Sequence, residues 1–163
     1  NLQTLTLTNP QVTNIDALSG CTNLKELGLA NTHINNIKAL ENLNNLEKLS
    51  LSMTQVNDIS PLINHKNLKY VTLSNTQVKD ISPLRNHKNL DWLTLDDTPV
   101  NDIEPLSGLE NLYHLSLRNT QVSDLSPLKK LKNLKFVYLS GSPVSEEQKA
   151  ELKKVLPETK ILK

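Results

Sequence analysis

The sequence repeats itself every 22 residues, and this period constrains the fold more than any other feature. A leucine recurs at that spacing, and an asparagine precedes it each time. These leucines are Leu2, Leu24, Leu46, Leu68, Leu90, Leu112 and Leu134. Six full units therefore fill 2–133, and a seventh begins at 134 and is diverted. Because a unit this short cannot close a core alone, the units must stack and share one.

Within each unit, apolar residues recur at positions 1, 4, 6, 11, 14, 17 and 20. Positions 4 and 6 alternate with polar neighbours, which is typical of a half-buried strand. Position 16 is proline in four units, and proline suits the first turn of a short helix. Each unit therefore predicts a strand, a turn, a tight helical or extended return, and a turn back.

The pattern L-x-x-L-x-L-x-x-T-x-V-x-D-I-x-P-L resembles the leucine-rich repeat in its 22-residue form. It is similar to the internalins of bacterial surfaces and to the leucine-rich regulatory subunit of protein phosphatase 1. The resemblance covers 1–144. Position 9 departs from the pattern, since it carries Pro10, threonine or Ser142 where asparagine or cysteine is usual. A short hydroxyl can still bond the neighbouring backbone, so the fold prediction stands.

The resemblance implies an α/β solenoid: a horseshoe with a parallel concave β-sheet and short 3₁₀ or extended returns on its convex side. The internalin likeness implies a bacterial surface or secreted protein that binds another protein, and it favours that location. The likeness to the phosphatase subunit implies an intracellular regulator. The sequence does not choose between them, and the free thiol of Cys21 is compatible with both.

Residues 145–163 predict a C-terminal cap, which leaves 1–144 as the repeat array. Ser145 and Gln148 have the spacing of a capping box, and an apolar stripe follows. That stripe consists of Ala150, Leu152, Val155 and Leu156. Pro157 ends the predicted helix, and 160–162 can return as an edge strand that Lys163 blunts.

No comparable cap precedes Leu2, and an uncapped apolar end lowers solubility. We therefore expect the natural protein to extend upstream, or this end to be covered by a partner or a second copy. Light scattering tests this expectation, because a stable and strictly monomeric chain of 1–163 would contradict it.

Composition argues against several functional classes. The 18 basic and 17 acidic residues nearly cancel, so no global field favours nucleic acid. A single cysteine excludes a disulfide framework and a multi-cysteine zinc site. No apolar run approaches the roughly 18 residues that cross a bilayer, so we expect no membrane insertion. With four glycines, no phosphate-binding motif and no nucleophile–base pair, we expect neither an enzyme nor a cofactor.

Residues at the same position of successive units form a column of the repeat, and two of these columns suggest metal binding. Position 13 carries asparagine or aspartate in every full unit, and position 20 places His65 and His87 in successive units. We favour structural roles for both columns. Carboxylates and amides in tight turns bond the local backbone, and the two histidines have no evident third ligand. The lysines around Lys130 lie toward the convex side, where such runs are usually solvated.

The aromatic residues lie only at positions 2, 3 and 5, and none occupies the repeat's leucine, valine or isoleucine positions. Tyr70, Trp92 and Phe136 occupy position 3 with His114, Tyr138 occupies position 5, and Tyr113 occupies position 2. With strands roughly 4.8 Å apart, the row from Tyr70 to Phe136 spans about 14–15 Å. Exposed clustered aromatics are typical of interface centres. They also form ladders that only stiffen a sheet, and Phe136 and Tyr138 can serve the cap instead.

Charge marks the same region. The unit that contains Trp92 has six acidic residues and no basic one, and Asp96 and Asp97 follow its strand. The next unit places Arg118 in the column of Asp96. An acidic spot edged by Arg118 suits a partner that offers lysine or arginine with an apolar anchor. Solubility patterning explains the same charges equally well.

We therefore predict a non-catalytic module that binds a protein partner on its concave strand face. The predicted contacts are Tyr70, Trp92, Tyr113, His114, Phe136, Tyr138, Asp96, Asp97 and Arg118. The alternative is a targeting or regulatory arm of a larger enzyme or effector whose catalytic part lies outside this chain. A third interpretation, an inert spacer, predicts a featureless concave face, and the uneven aromatics and charges argue against it.

Overall fold

The computed structural model describes residues 1–162, so the predicted role of Lys163 at the sheet edge lies outside the described residues. It contains one sheet of eight parallel strands that follow each other in chain order. The strands are β1 (Thr4–Thr6), β2 (Glu26–Gly28), β3 (Lys48–Ser50), β4 (Tyr70–Thr72), β5 (Trp92–Thr94), β6 (His114–Ser116), β7 (Phe136–Tyr138) and β8 (Lys160–Leu162). The predicted parallel solenoid is therefore confirmed.

Strand pairing keeps the period of the sequence. From β1 to β7 each strand residue lies opposite the residue 22 positions further on, as Tyr70 lies opposite Trp92 and Trp92 opposite His114. The last two paired strands are further apart in the sequence, since Phe136 lies opposite Lys160. This extra length accommodates a helix between the two strands. Consequently, a column of the sequence becomes a row of neighbouring side chains across the sheet.

Short 3₁₀ turns form the convex returns, as predicted. They span Asp16–Gly20, Lys38–Leu40, Ser60–Leu62, Ser82–Leu84, Glu104–Leu106 and Ser126–Lys130. In every full unit the position-13 side chain accepts a backbone N–H two residues ahead, as in the 2.8 Å bond from Ser82 N to Asp80 Oδ1. The Ser82 backbone N–H and hydroxyl hold the pKa of Asp80 below its ordinary value. The predicted turn role of this column is confirmed.

Leucine, isoleucine and valine from the repeated columns fill one continuous core. The position-9 threonine closes the turn after each of strands β2 to β6, as when Thr76 Oγ1 donates to the Leu73 carbonyl at 2.6 Å. His65 and His87 are fully buried, and their Nε2 atoms donate to the carbonyls of Leu40 and Leu62 at 3.0 Å. The histidines therefore link successive coils, which confirms their structural role.

The chain ends in a helix and an edge strand, both as predicted. Helix α1 (Glu146–Val155) begins at Ser145, whose hydroxyl accepts the Gln148 N–H. The Gln148 side chain does not complete a reciprocal capping box, because it accepts the Leu125 N–H of the preceding coil instead. Leu152 is buried against that coil, whereas Val155 is exposed. The division at 144 and 145 stays a prediction.

The two ends of the core differ. Leu2 is 46% exposed and most apolar residues of the first coil are only partly buried, with Ile15 as the exception, while the equivalent residues of the inner coils are buried. What covers the Leu2 end stays a prediction. Within the described chain, the only α-helix has ten residues, and no helix is long and apolar enough to cross a membrane.

Candidate partner-binding surface

The sheet brings the predicted aromatic residues onto one stretch of the concave face. Position 4 of strands β2 to β7 points into the core and is buried, so positions 3 and 5 face outward. Pairing of β4 to β7 places Tyr70, Trp92, His114 and Phe136 in one row. Tyr138 lies opposite Ser116 in the next row. None of the aromatic side chains belongs to the hydrophobic core.

Trp92 and His114 form a tight stack at the centre of this row. Their ring centroids lie 3.5 Å apart and their planes differ by 4°. The imidazole also lies 5.0 Å from the Tyr138 ring, and Phe136 meets Tyr113 edge-on at 5.6 Å. Because rings surround it, His114 is only 8% exposed. It supports the stack more than it offers a free surface contact.

Burial lowers the pKa of His114 below its ordinary value, and the Arg118 charge acts in the same direction. The carboxylates of Asp96 and Asp91 oppose this shift without cancelling it. His114 therefore stays neutral at pH 7, and its protonation is displaced to more acidic conditions than for a solvated histidine.

Tyr70 stands apart from the stack and is 38% exposed. The Lys48 ammonium lies 5.7 Å from its ring centroid and also pairs with Glu26 at 2.8 Å. Beside it, Gly28 interrupts the row of Ser and Thr side chains and leaves a shallow hollow lined by Thr6 and Tyr70. This hollow was not predicted from the sequence, although the glycine among the hydroxyl residues at position 5 marks it.

Asp96 is the centre of a hydrogen-bonded network. Its Oδ1 accepts the Ser116 hydroxyl at 2.5 Å and the Arg118 backbone N–H at 2.8 Å. Its Oδ2 lies 3.5 Å from Nη1 of Arg118, and its own N–H donates to the Ser74 hydroxyl at 3.2 Å. Sequence reasoning missed Ser116 and Ser74, which follow from the columns on either side of Asp96 once strands are set side by side.

Arg118 is held in place from two sides. Its guanidinium carbon lies 4.1 Å from the Tyr138 ring centroid, and Nη1 also donates to the Ser116 hydroxyl at 3.2 Å. A guanidinium stacked on an aromatic ring keeps its in-plane donors available. Lys160 adds a second cation–ring contact, with its ammonium 5.7 Å from the Phe136 centroid. Lys160 was not predicted as a contact, because β8 lies outside the repeat.

The backbone conformation at Asp97 explains why an aspartate occupies this position. It adopts a left-handed conformation with φ 55°, as the equivalent residues of neighbouring coils do, and it accepts the Asn119 side-chain N–H at 2.8 Å. Asparagine, aspartate and glycine tolerate this conformation best. The structure thus gives Asp97 a turn-forming role, and the carboxylate remains exposed at the rim.

Within residues 1–162, no group of three or more His, Cys, Asp or Glu side chains converges in a way that could hold a metal ion. The Nδ1 atoms of His65 and His87 are buried without a hydrogen-bond partner in this part of the chain. Their imidazoles face the core between coils and do not reach the concave surface.

A comparison with family models finds the model of leucine-rich repeats (two copies) at residues 44–86, 88–130 and 114–148. No curated protein sequence matches the chain. Several solved structures match nearly all of it. An internalin of Listeria monocytogenes, inlF, is 32% identical with a TM-score of 0.93. Internalin C2 of the same species is 32% identical with a TM-score of 0.94.

A leucine-rich repeat protein of Leptospira interrogans is also similar, with 26% identity and a TM-score of 0.75 over 98% of this chain. The two internalin matches each cover 99% of this chain. This chain spans 47% of the inlF structure, 70% of the internalin C2 structure and 48% of the Leptospira structure.

Proposed function

This chain belongs to the leucine-rich repeat family, in its internalin-like form, and we propose that its partner docks on the aromatic half of the concave face. Proteins of this type generally act as protein-binding modules. The proposed surface extends from Tyr70 on β4 to Tyr138 on β7. Its anchors are Tyr70, Trp92 and Phe136, with Tyr113 at the edge.

One observation carries the proposal: every aromatic residue of the chain lies on or beside β4 to β7, and none fills the core. Leucine, isoleucine and valine fill the interior of every coil, so the fold does not need these rings for its core. Tyrosine and tryptophan are enriched among residues that dominate binding energy. A clustered and partly exposed set of such rings supports an interface centre over a purely internal ladder.

The rigidity of the site supports the same proposal. Trp92 is fixed by its stack on His114, and Arg118 is fixed between Asp96 and Tyr138. Side chains that are already ordered lose little conformational entropy when a partner docks. The bonds to the strand network thus prepare the surface for binding before a partner arrives.

A capture experiment with the full chain tests the proposal. A partner captured by the wild-type chain is purified, and its affinity for variants is measured by surface plasmon resonance. Trp92→Ala should weaken the complex by at least about 2 kcal/mol, or roughly 30-fold, because the central ring is lost. Tyr70→Ala combined with Trp92→Ala should abolish detectable capture.

The matched control removes two exposed apolar side chains away from this surface, Ile63→Ala with Val155→Ala. This variant should bind as the wild type does. Circular dichroism spectra establish that each variant is folded. Unchanged affinity of folded Trp92→Ala would remove Trp92 from the interface, and equal losses in the control would move the interface to another face.

A further inference from the structure

The charged residues beside Trp92 offer a partner different contacts in the folded chain from those that the sequence suggests. The sequence places Asp96 and Asp97 beside Trp92, which favours a basic partner. In the folded chain the carboxylate of Asp96 is 20% exposed and already accepts three contacts, from the Ser116 hydroxyl, the Arg118 N–H and Arg118 Nη1. A carboxylate has about four acceptor positions. Little acceptor capacity remains for a partner's lysine or arginine.

In contrast to the Asp96 carboxylate, the Arg118 guanidinium still has hydrogen-bond donors without a partner among the described residues. Its side chain is 37% exposed, and both of its hydrogen bonds use Nη1. Among residues 1–162, no acceptor bonds Nε or Nη2 of Arg118. These two nitrogens form one edge of the guanidinium, and that edge can bind a carboxylate through two parallel hydrogen bonds.

A second cation lies near the other aromatic ring of β7. The ammonium of Lys160 rests near the Phe136 ring, and its side chain is exposed. Within the described part of the chain it has no carboxylate within 4.0 Å. Arg118 and Lys160 therefore flank the rings of β7 with positive charge that the fold itself does not neutralise fully.

The acidic groups of the β5 coil lie to one side of this pair. Asp91 and Asp97 belong to the coil of β5, one at each end of the strand, and Asp97 accepts the Asn119 side chain. His114 contributes no positive charge at pH 7, because burial lowers its pKa. The two cations Arg118 and Lys160 consequently lie beside the rings of β7, close to the half-buried Trp92.

From this arrangement we infer that the surface selects an acidic protein segment, in which an aspartate or glutamate lies beside an apolar side chain. The carboxylate bonds the Nε–Nη2 edge of Arg118, and Lys160 attracts a second acidic group. The apolar side chain packs on Trp92 and Tyr138. This inference rests on the proposed concave binding surface and specifies the partner that it takes.

Selection from a library of random short peptides displayed on phage tests the inference, with the full chain as the immobilised target. Enriched peptides are synthesised, and their affinities are measured for wild type, Arg118→Gln and Trp92→Ala. We expect aspartate or glutamate next to an apolar residue in the enriched peptides. Affinity should fall at least about tenfold in Arg118→Gln, because the bidentate charged contact is lost.

Three variants sharpen the result. Arg118→Lys keeps the charge and loses the planar fork, so it should recover only part of the affinity. Lys160→Gln should weaken binding less than Arg118→Gln does. Lys130→Gln removes an exposed charge from the convex side and should leave affinity unchanged.

The outcomes separate the two proposals. Acidic peptides that depend on both Arg118 and Trp92 support the inference. Basic or uncharged peptides that depend on Trp92 overturn it and leave the proposed concave surface intact. Failure to enrich any peptide that depends on Trp92 overturns the inference and counts against the proposed surface as well.

Discussion

The first and second halves of the concave face share one core and carry different surfaces. Strands β1 to β3 present small side chains and one ion pair, and Gly28 leaves a hollow among them. Strands β4 to β7 present a fixed cluster of rings and charges around Trp92 and Arg118. Because the same leucine columns support both halves, the surface can change without changing the fold. Function is therefore expected where the surface departs from the repeat.

The largest expected loss of stability comes from truncating a core leucine, and it tests whether the core is equivalent in both halves. Leu49 and Leu115 occupy position 4 of β3 and β6, and both are buried. Leu49→Ala and Leu115→Ala should each lower the free energy of unfolding by about 2–5 kcal/mol, since each leaves a cavity. Urea titrations followed by circular dichroism measure both. A much smaller loss in one half would show that the two halves do not share an equivalent core.

The second prediction concerns the junction of the halves, where two histidines replace the usual leucine. Burial lowers the pKa of His65, and it lowers the pKa of His87 from 6.5 to about 4 with help from the Lys66 charge. The unfolded chain therefore binds protons that the folded chain does not. The free energy of unfolding should fall as pH decreases from about 7 to 4, by about 3 kcal/mol for His87.

The control for this pH effect replaces both histidines with leucine, which occupies the same position of the neighbouring units as Leu43 and Leu109. His65→Leu with His87→Leu should reduce the loss between pH 7 and 4, and part of the remaining loss belongs to His114, whose pKa is also lowered by burial. Asp80 and Asp124 also have lowered pKa values, so their contribution begins to fall as the pH approaches the ordinary value of 3.8 and is lost mainly at more acidic pH. An unchanged profile in the double variant would assign the acid sensitivity to other groups.

The third prediction compares one acidic residue from each half. Asp96→Ala should lower the free energy of unfolding by about 1–3 kcal/mol, because Ser116 and the Arg118 N–H lose their acceptor. Glu26→Ala removes only an exposed pair with Lys48 and should cost less than about 1 kcal/mol. Equal losses in urea titrations would mean that the Asp96 network adds nothing beyond a surface ion pair.

The smallest expected stability effect isolates the ring stack. Trp92→Ala should lower the free energy of unfolding by about 1 kcal/mol through loss of the stack on His114. Lys48→Ala, at the same position in the first half, should have almost no effect. The imidazole gains water in Trp92→Ala, so the pKa of His114 should rise toward its ordinary value in an NMR titration. A pKa that does not move would show that the indole does not shield His114.

Much of the molecule follows from the sequence, and particular residues show where that reasoning stops. The leucines that recur every 22 residues from Leu2 predict the parallel strands, and aspartates such as Asp80 predict their own turn contacts. Ser145 predicts the start of the helix. The partner of the Gln148 side chain could not be predicted, because Leu125 lies in another coil and meets it only after the cap folds back.

The candidate site shows the same limit. The columns correctly predict that Trp92, His114 and Asp96 are neighbours of the residues 22 positions away. They do not predict that His114 is covered by rings, or that Asp96 turns toward Ser116 and Arg118. Those outcomes depend on rotamers, which are selected by several neighbours at once.

The sequence by itself determined the repeat, the core columns and the placement of the aromatic residues on one face, because periodicity decides which side chains point inward. Only the tertiary structure decided which charges remain available on that face. A carboxylate and a guanidinium can each bond a partner or each other, and the choice depends on distances between adjacent coils. Here packing consumes the acceptors of Asp96 and leaves one edge of Arg118 open.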